Sequence, residues 1–377
     1  YIYSWKLEPH DRVPSGKRTD LSLREKIREL KENERNGILY RGGDLSVLEL
    51  VEKYLNTKNG GRPTTQNGYR TVVNFLKKDP FGEKRIDTVR VLDAKEWIVG
   101  LQKKGKGYSS IHSIRGVLRP AFALAAESDF IRKNQFDFEL KEVLINDSSK
   151  RDAVEPSVEK RFLDFVKNDE TYRECYDGMF ILFKTGLRVS ELSGLTLRDI
   201  DMKERTININ HQLQTTGHKG KYIEETKTNA GTRILPMTEE VYEAFQRVLE
   251  NRKSPKVEQI IDGYSGFLFL DRRGKAMVSY QWEKRFQRAV EKHNKENKRK
   301  LPKITPHICH HTYCTNMAKS GISPKTLQYL MGHSSIEVTM NVYTHLGLVD
   351  AKREVDRLEA MKEINEKEQT GKWFRMA

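Results

Sequence analysis

The sequence predicts a mainly α, multi-domain chain with small antiparallel sheets, on three observations. The chain has 377 residues, enough for two or three domains rather than one. Apolar residues recur at three- and four-residue spacing through most of it, the period of a helix with one buried face. The stretches that alternate with period two are few and short, Arg205-Thr206-Ile207-Asn208-Ile209-Asn210 being the clearest.

Residues 1 to 43 open with Tyr1-Ile2-Tyr3-Ser4-Trp5-Lys6-Leu7, which alternates like a strand, and turn at Pro14-Ser15-Gly16-Lys17. Ser22 then caps a charged helix from Leu23 to Asn36, with Glu25 three residues past the cap. One strand and one helix cannot bury a core alone. The chain starts on Tyr1 rather than methionine, which reads as a start inside a longer protein.

Residues 44 to 147 read as all-helical. Val47, Leu48, Leu50, Val51, Tyr54 and Leu55 make one apolar face, and Tyr69, Val72, Val73, Phe75 and Leu76 another. Trp97, Ile98 and Leu101 mark a third helix, and a fourth runs from Tyr108 to Ala126. The loop Lys103-Lys104-Gly105-Lys106-Gly107, with Tyr108-Ser109-Ser110 opening the next helix, is suited to phosphate through cations and first-turn amides. The stretch from Ile145 to Ala153 is polar and aperiodic, which places an interdomain linker at 148–155.

The last domain spans 156–377. Pro156 starts a helix, Glu170 to Lys184 a second, and Val241 to Arg252 a third. Arg205 to Asn210, Lys221 to Glu225 and Arg233 to Leu235 form one small antiparallel sheet, and Glu225 to Pro236 reads as strand, turn and strand with Lys227 beside the turn. Phe267 to Leu270 is a short strand and Trp282 to Asn297 a helix that ends in a basic run. Three short helices close the domain: one from Pro306, stopped at Gly321, one from Pro324, and one from Ser335 to His345.

Lys plus Arg number 68 against 53 Asp plus Glu, a formal charge of +15, with a mean hydropathy of −0.72. That balance favours a polyanionic partner, nucleic acid first. No apolar run approaches the ~18 residues of a membrane span, and no signal peptide pattern is present. Cys175, Cys309 and Cys314 are too few and scattered for a disulfide framework, which fits a cytoplasmic protein.

The polar residues cluster in sequence. Thr185-Gly186-Leu187-Arg188-Val189-Ser190-Glu191-Leu192 puts an arginine just past a glycine helix stop. Far downstream come Thr305-Pro306-His307-Ile308-Cys309-His310-His311-Thr312, then Leu330-Met331-Gly332-His333, then Tyr343-Thr344-His345. Helices of this kind can bring a tyrosine and several cations to one pocket, as attack of a phenolate on a phosphodiester requires. The pairs His307/His311 and His310/Cys314 are four apart and could bind zinc, but no Glu follows His307 and the cysteines lack paired finger spacing. No metal and no cofactor is expected.

In this order, Arg188, Lys227, His307, His333 and Tyr343 make the sequence resemble the tyrosine recombinase (lambda-integrase-like) family, and most of all integrases of conjugative transposons. The resemblance implies a DNA clamp. Residues 1–43 would be the remnant of a domain for accessory DNA, 44–147 a core-binding domain with DNA contacts at Lys103, Lys104, Lys106, Tyr108 and Ser109, and 156–377 the catalytic domain. It implies Tyr343 as nucleophile forming a 3′-phosphotyrosyl link, Arg188 and His333 on the phosphate, Lys227 as general acid and His307 acting on the attacking hydroxyl. Glu191 would hold Arg188 or a neighbouring cation in place. It implies a homo-oligomer on double-stranded DNA, a dimer on one site and a tetramer in synapsis, with the C-terminal helix exchanged in trans, and an excision accessory protein. Ala351, Val355, Leu358 and Met361 supply an apolar stripe for that exchange.

One position departs from the family pattern, which has arginine three residues after His307 where this chain has His310. Histidine lacks the bidentate fork and carries a full charge only below its pKa near 6.5. Slow cleavage that improves toward pH 6, as His310 gains charge, is therefore expected. The alternatives are a DNA-binding protein of the same fold without the chemistry, and a type IB topoisomerase.

Overall fold

The computed structural model describes residues 28, 44–58, 60–147, 153–217, 219–226, 231–252, 254–344, 347, 352, 355–357 and 359. The strand expected before residue 43 and the helix there, apart from helical Arg28, lie outside them, as do the linker core at 148–152, Lys227 and His345. The chain divides into two compact units, Tyr1–Ser149 and Lys150–Ala377.

The first unit is helical: α1 (Val47–Asn56), α2 (Pro63–Leu76), α3 (Val91–Lys103) and α4 (Tyr108–Glu127). Ser46 caps α1 by accepting the Glu49 amide at 3.1 Å, while Glu49 accepts the Ser46 amide at 2.8 Å. The helices bury Val47, Leu50, Ile98, Leu118 and Phe122 around an aromatic centre. There Phe81 stacks on Trp97 at 4.2 Å, and the Trp97 indole donates to Asp79 at 2.9 Å. The lysine loop is tied inward. Lys106 lies 4.2 Å over the Phe75 ring, and the Tyr108 amide, read as a phosphate donor, donates instead to the Asp147 carboxylate at 2.8 Å.

The second unit is mixed. Its helices are α5 (Pro156–Asn168), α6 (Tyr176–Thr185), α7 (Val189–Gly194), α8 (Glu239–Asn251), α9 (Ser279–Glu296), α10 (Pro306–Lys319), α11 (Pro324–Met331) and α12 (Ile336–Tyr343). Its strands are β1 (Ile200–Asp201), β2 (Thr206–Ile209), β3 (His211–Thr216), β4 (Gly220–Glu225) and β5 (Arg233–Pro236). α6 is apolar on nearly every side, and Met179, Ile181, Leu182 and Phe183 lock it into a core with Phe162, Phe245, Trp282 and Phe286. The chain as a whole is mainly α with small antiparallel sheets.

Three expectations are corrected. The helix expected from Glu170 starts only at Tyr176, because the Asp169 side chain accepts the amides of Thr171 and Tyr172 at 2.9 and 3.2 Å and turns the chain there. The single sheet is two: β1-β2-β5, and a separate hairpin β3-β4 with Thr216 opposite Gly220. β4 and β5 are therefore not partners, and the segment between them bridges two sheets, its base closed by a 2.7 Å hydroxyl contact between Thr226 and Thr232. Phe267 to Leu270 makes only isolated bridges, Phe267 to Thr196 and Leu270 to Ala276.

Candidate active site

α6 ends at Gly186, whose φ of 65° is left-handed. A Cβ there would sit 2.4 Å from the Tyr313 ring, so both conformation and space require glycine. Leu187 then plugs the core, and Arg188, in extended conformation, opens α7.

Arg188 is anchored twice. Its Nη1 donates to Glu191 Oε1 at 2.9 Å and its Nη2 to the Gly332 carbonyl at 3.1 Å. Its backbone amide donates to Glu191 Oε2 at 2.9 Å. The side chain keeps 37 % of its surface open, whereas that of Glu191 keeps 3 %. A second cation meets Glu191 from inside: Arg233 on β5 donates from Nη1 to Oε1 at 3.1 Å and from Nη2 to Oε2 at 3.0 Å. Burial raises the Glu191 carboxyl pKa, but Arg233 and then Arg188 outweigh it and hold it below the ordinary range.

α11 ends on Gly332 with φ 63°, and His333 follows. Its Nδ1 lies 2.9 Å from the Thr339 hydroxyl on α12. Tyr329 fastens α11 to the sheet, its hydroxyl accepting the Ile234 amide at 3.1 Å and donating to the Ile234 carbonyl at 3.2 Å.

α10 is capped by Thr305, which accepts the Ile308 amide at 3.3 Å, and carries Pro306 in its first turn. His307 is exposed and packs edge-on to half-buried His311, with centroids 4.8 Å apart. His310 is buried, its ring 5.8 Å from that of His333. Its Nδ1 donates to the Gly186 carbonyl at 2.5 Å, which leaves Nε2 as a lone-pair acceptor in the neutral ring. Burial, then the nearby charge of Arg188, lowers its pKa to about 3. The same causes, with Arg233, lower that of His333 to about 4. The expectation that His310 gains charge near pH 6 is thus overturned in the free protein: it stays neutral through that range.

Tyr343 closes α12, and its hydroxyl donates to the Ile322 carbonyl at 2.6 Å, in the turn between α10 and α11. Burial, then Cys314, raises its pKa. Arg357 in the tail donates to the neighbouring Ser320 carbonyl at 3.0 Å, while Val355, from the apolar stripe, is 54 % exposed.

Arg188, Glu191, His310 and His333 are thus brought to one place. Tyr343 is not brought to them by any contact of its own: its hydroxyl is held on the Ile322 carbonyl, and Lys227 lies outside the described residues. Arg233 and Thr339 were missed. Arg233 had a signal: period two in Arg233-Ile234-Leu235-Pro236 puts the arginine on the same face as Leu235, and the burial confirms an inward charge beside an outward isoleucine. Among the described residues no three His, Cys, Asp or Glu side chains group as metal ligands.

A buried carboxylate holding an arginine at an open rim, two histidines beside it and a tyrosine at the end of the adjoining α12 are the polar groups this part of the fold sets out. The chain belongs to the phage integrase family, the tyrosine recombinases: the family model matches residues 153–348, and that of the DNA binding domain of Tn916 integrase matches residues 1–34. It is 44 % identical over 363 residues to the transposase from transposon Tn916 of Enterococcus faecalis, covering 96 % of this chain and 89 % of that one. It is similar to the Tn1549 transposon integrase solved in complex with circular intermediate DNA (42 % identity, TM-score 0.78, 83 % of this chain and 100 % of that one). A lambda integrase dimer on a core site shares the fold, at 17 % identity and TM-score 0.55 over 79 % of this chain and 95 % of that one.

Proposed function

We propose that this chain is a site-specific DNA recombinase that excises and integrates a mobile element. The observation that carries the reading is the Arg188–Glu191–Gly332 arrangement, in which motifs far apart in sequence meet around one open guanidinium. The guanidinium and His333 hold the scissile phosphate. The Tyr343 oxygen attacks phosphorus, the bond to the 5′-oxygen breaks, and Lys227 protonates the leaving 5′-oxygen to give the 5′-hydroxyl. His307 takes or braces the phenolic proton. The product is a 3′-phosphotyrosyl ester, which conserves the bond energy for rejoining by another 5′-hydroxyl. Before attack, Tyr343 must exchange its hydrogen bond to Ile322 for the phosphate.

Residues 44–147 act as the core-binding domain, with DNA contacts at the exposed Lys103, Lys104 and Ser109 and at Lys106 and Tyr108 once they exchange their contacts to Phe75 and Asp147, 156–377 as the catalytic domain, and 1–43 as part of an accessory-DNA module. The protein works as a dimer on one site and a tetramer in synapsis, its tail exchanged in trans and an accessory protein directing excision. With a charge of +15, duplex affinity falls steeply as salt rises.

The test is a nicked suicide duplex. The parent forms a covalent adduct and Tyr343→Phe forms none, with half-site affinity changed less than about twofold. An adduct that persists in the Phe variant removes Tyr343 from the role. A second reading, binding without cleavage, is favoured by the neutral, buried His310, and no adduct from the parent under any condition selects it.

A further inference from the structure

Arg233 carries no role in the mechanism above, yet its side chain is fully buried, with 0 % exposed. Its guanidinium spans both oxygens of Glu191 at 3.1 and 3.0 Å. Nη1 also donates to the Gly231 carbonyl at 3.1 Å, and Nε to the Leu330 carbonyl at 2.9 Å. Arg188 reaches the same carboxylate from the open side with Nη1 and its backbone amide.

An arginine beside a carboxylate frequently closes on it with two parallel N–H···O bonds. Arg188 does not: one nitrogen faces Glu191 and the other turns to Gly332. The remaining acceptor positions of Glu191 are filled, by Arg233 and by the Arg188 amide. Charge leads the same way. Arg188, Glu191 and Arg233 together carry a net positive charge at the rim, while Arg188 and Glu191 alone cancel. Through Leu330, Arg233 also fixes the last turn of α11, from which Gly332 and His333 project.

We propose that Arg233 is a positioning residue for the strand-cleavage reaction: by occupying both oxygens of Glu191 it denies Arg188 a closed ion pair and keeps the Arg188 guanidinium edge open for phosphate. This rests on the reading of Arg188 as the phosphate ligand. The contribution lies in presentation rather than contact, since a buried Arg233 does not meet the substrate.

Two measurements on the full chain separate this proposal from the reading it rests on. The first needs no catalysis. Phenylglyoxal labelling of Arg188 in the free protein, read by peptide mass spectrometry, reports whether its guanidinium is open. Arg233→Met should slow labelling at least fivefold, as Arg188 closes on Glu191. Adding Glu191→Gln should restore it, because a neutral amide holds Arg188 less tightly. The second is single-turnover cleavage of the suicide duplex at saturating protein. Arg233→Met should cut the rate about a hundredfold with half-site affinity within threefold, Arg233→Lys should recover about tenfold, and Glu191→Gln on Arg233→Met should raise the rate above that of the single variant. Melting temperatures are recorded for each. Where Arg233→Met does not fold, Arg233→Lys compared with parent and the double variant decides both measurements. Labelling that is unchanged or faster without Arg233, or rates that merely follow melting temperature, overturns the proposal. Labelling as expected with no Tyr343-dependent adduct from the parent overturns the cleavage reading and leaves the Arg233–Arg188 relation standing.

Discussion

The two halves of the candidate site are built differently. On one side, Arg188 and Arg233 share the Glu191 carboxylate, with 3 % of its side chain exposed, and carbonyls of Gly332 and Leu330 complete the set. On the other, the Tyr343 hydroxyl has one hydrogen bond, to Ile322, and α12 exposes Ile336, Val338 and Met340. The first half is already assembled in the free protein, while on the proposed mechanism the second must rearrange. A charge site gains from being fixed in advance, because donors already oriented need no reorganisation as charge develops. A nucleophile gains from being brought in late.

The comparison breaks most severely if the buried carboxylate is removed. Glu191→Ala leaves the buried Arg233 charge uncompensated, and loss of one partner of a buried pair costs about 3–5 kcal/mol. Urea unfolding should show that loss, and an effect under about 1 kcal/mol would mean water reaches Arg233. His310→Arg should sharpen the comparison by adding a fixed cation to the prepared side. One such donor contributes about 3–4 kcal/mol to a transition state, so single-turnover cleavage should rise by ~10² to 10³. Rates within about threefold, under ~1 kcal/mol, would show that position 310 takes no part.

Acidification from pH 7 to 5 gives a smaller effect per group, of definite sign. The unfolded chain protonates His310 near 6.5, the folded chain only at about 3, so stability is full above pH 6.5 and falls as pH drops toward 3. The slope is about 1.4 kcal/mol per pH unit per such group, and His333, at about 4, adds in the same direction. Urea titrations at pH 7, 6 and 5 should show the decline, made shallower by His310→Gln. An equal slope in that variant would place His310 in a wetter setting. Glu191 acts lower on the scale: its depressed pKa gives stability present above the usual 4.5 and lost as pH falls further. The smallest effect is expected from Tyr329→Phe, which removes both hydrogen bonds to Ile234, for about 1 kcal/mol. No change at all would mean that α11 is held by Arg233 without it.

Much of this was legible in the sequence, for identifiable reasons. Pro156, Pro306 and Pro324 mark helix starts that the structure keeps, and Gly186 and Gly321 mark ends. These signals are local. Pairing of strands is not local, and there the reading failed: His211 to Thr216 is too polar to alternate visibly, so its hairpin with β4 went unseen and β4 was joined to β5 instead. The motif histidines and arginine could be named, but their charge states could not. The low pKa of His310 comes from burial and from Arg188, which is distant in sequence. The Ile322 carbonyl that holds Tyr343 is backbone, and backbone acceptors leave no mark on residue identity.

That carbonyl bears on when the proposed chemistry runs. A chain of charge +15 meets far more chromosomal DNA than recombination sites. With its phenol turned to its own main chain, it can search those sequences and let go without nicking them. On the proposed mechanism the order of events, docking first and hydroxyl release second, is what spares DNA outside the site. On that reading, a substitution that frees the tyrosine early raises cleavage outside the site before it raises the rate of recombination.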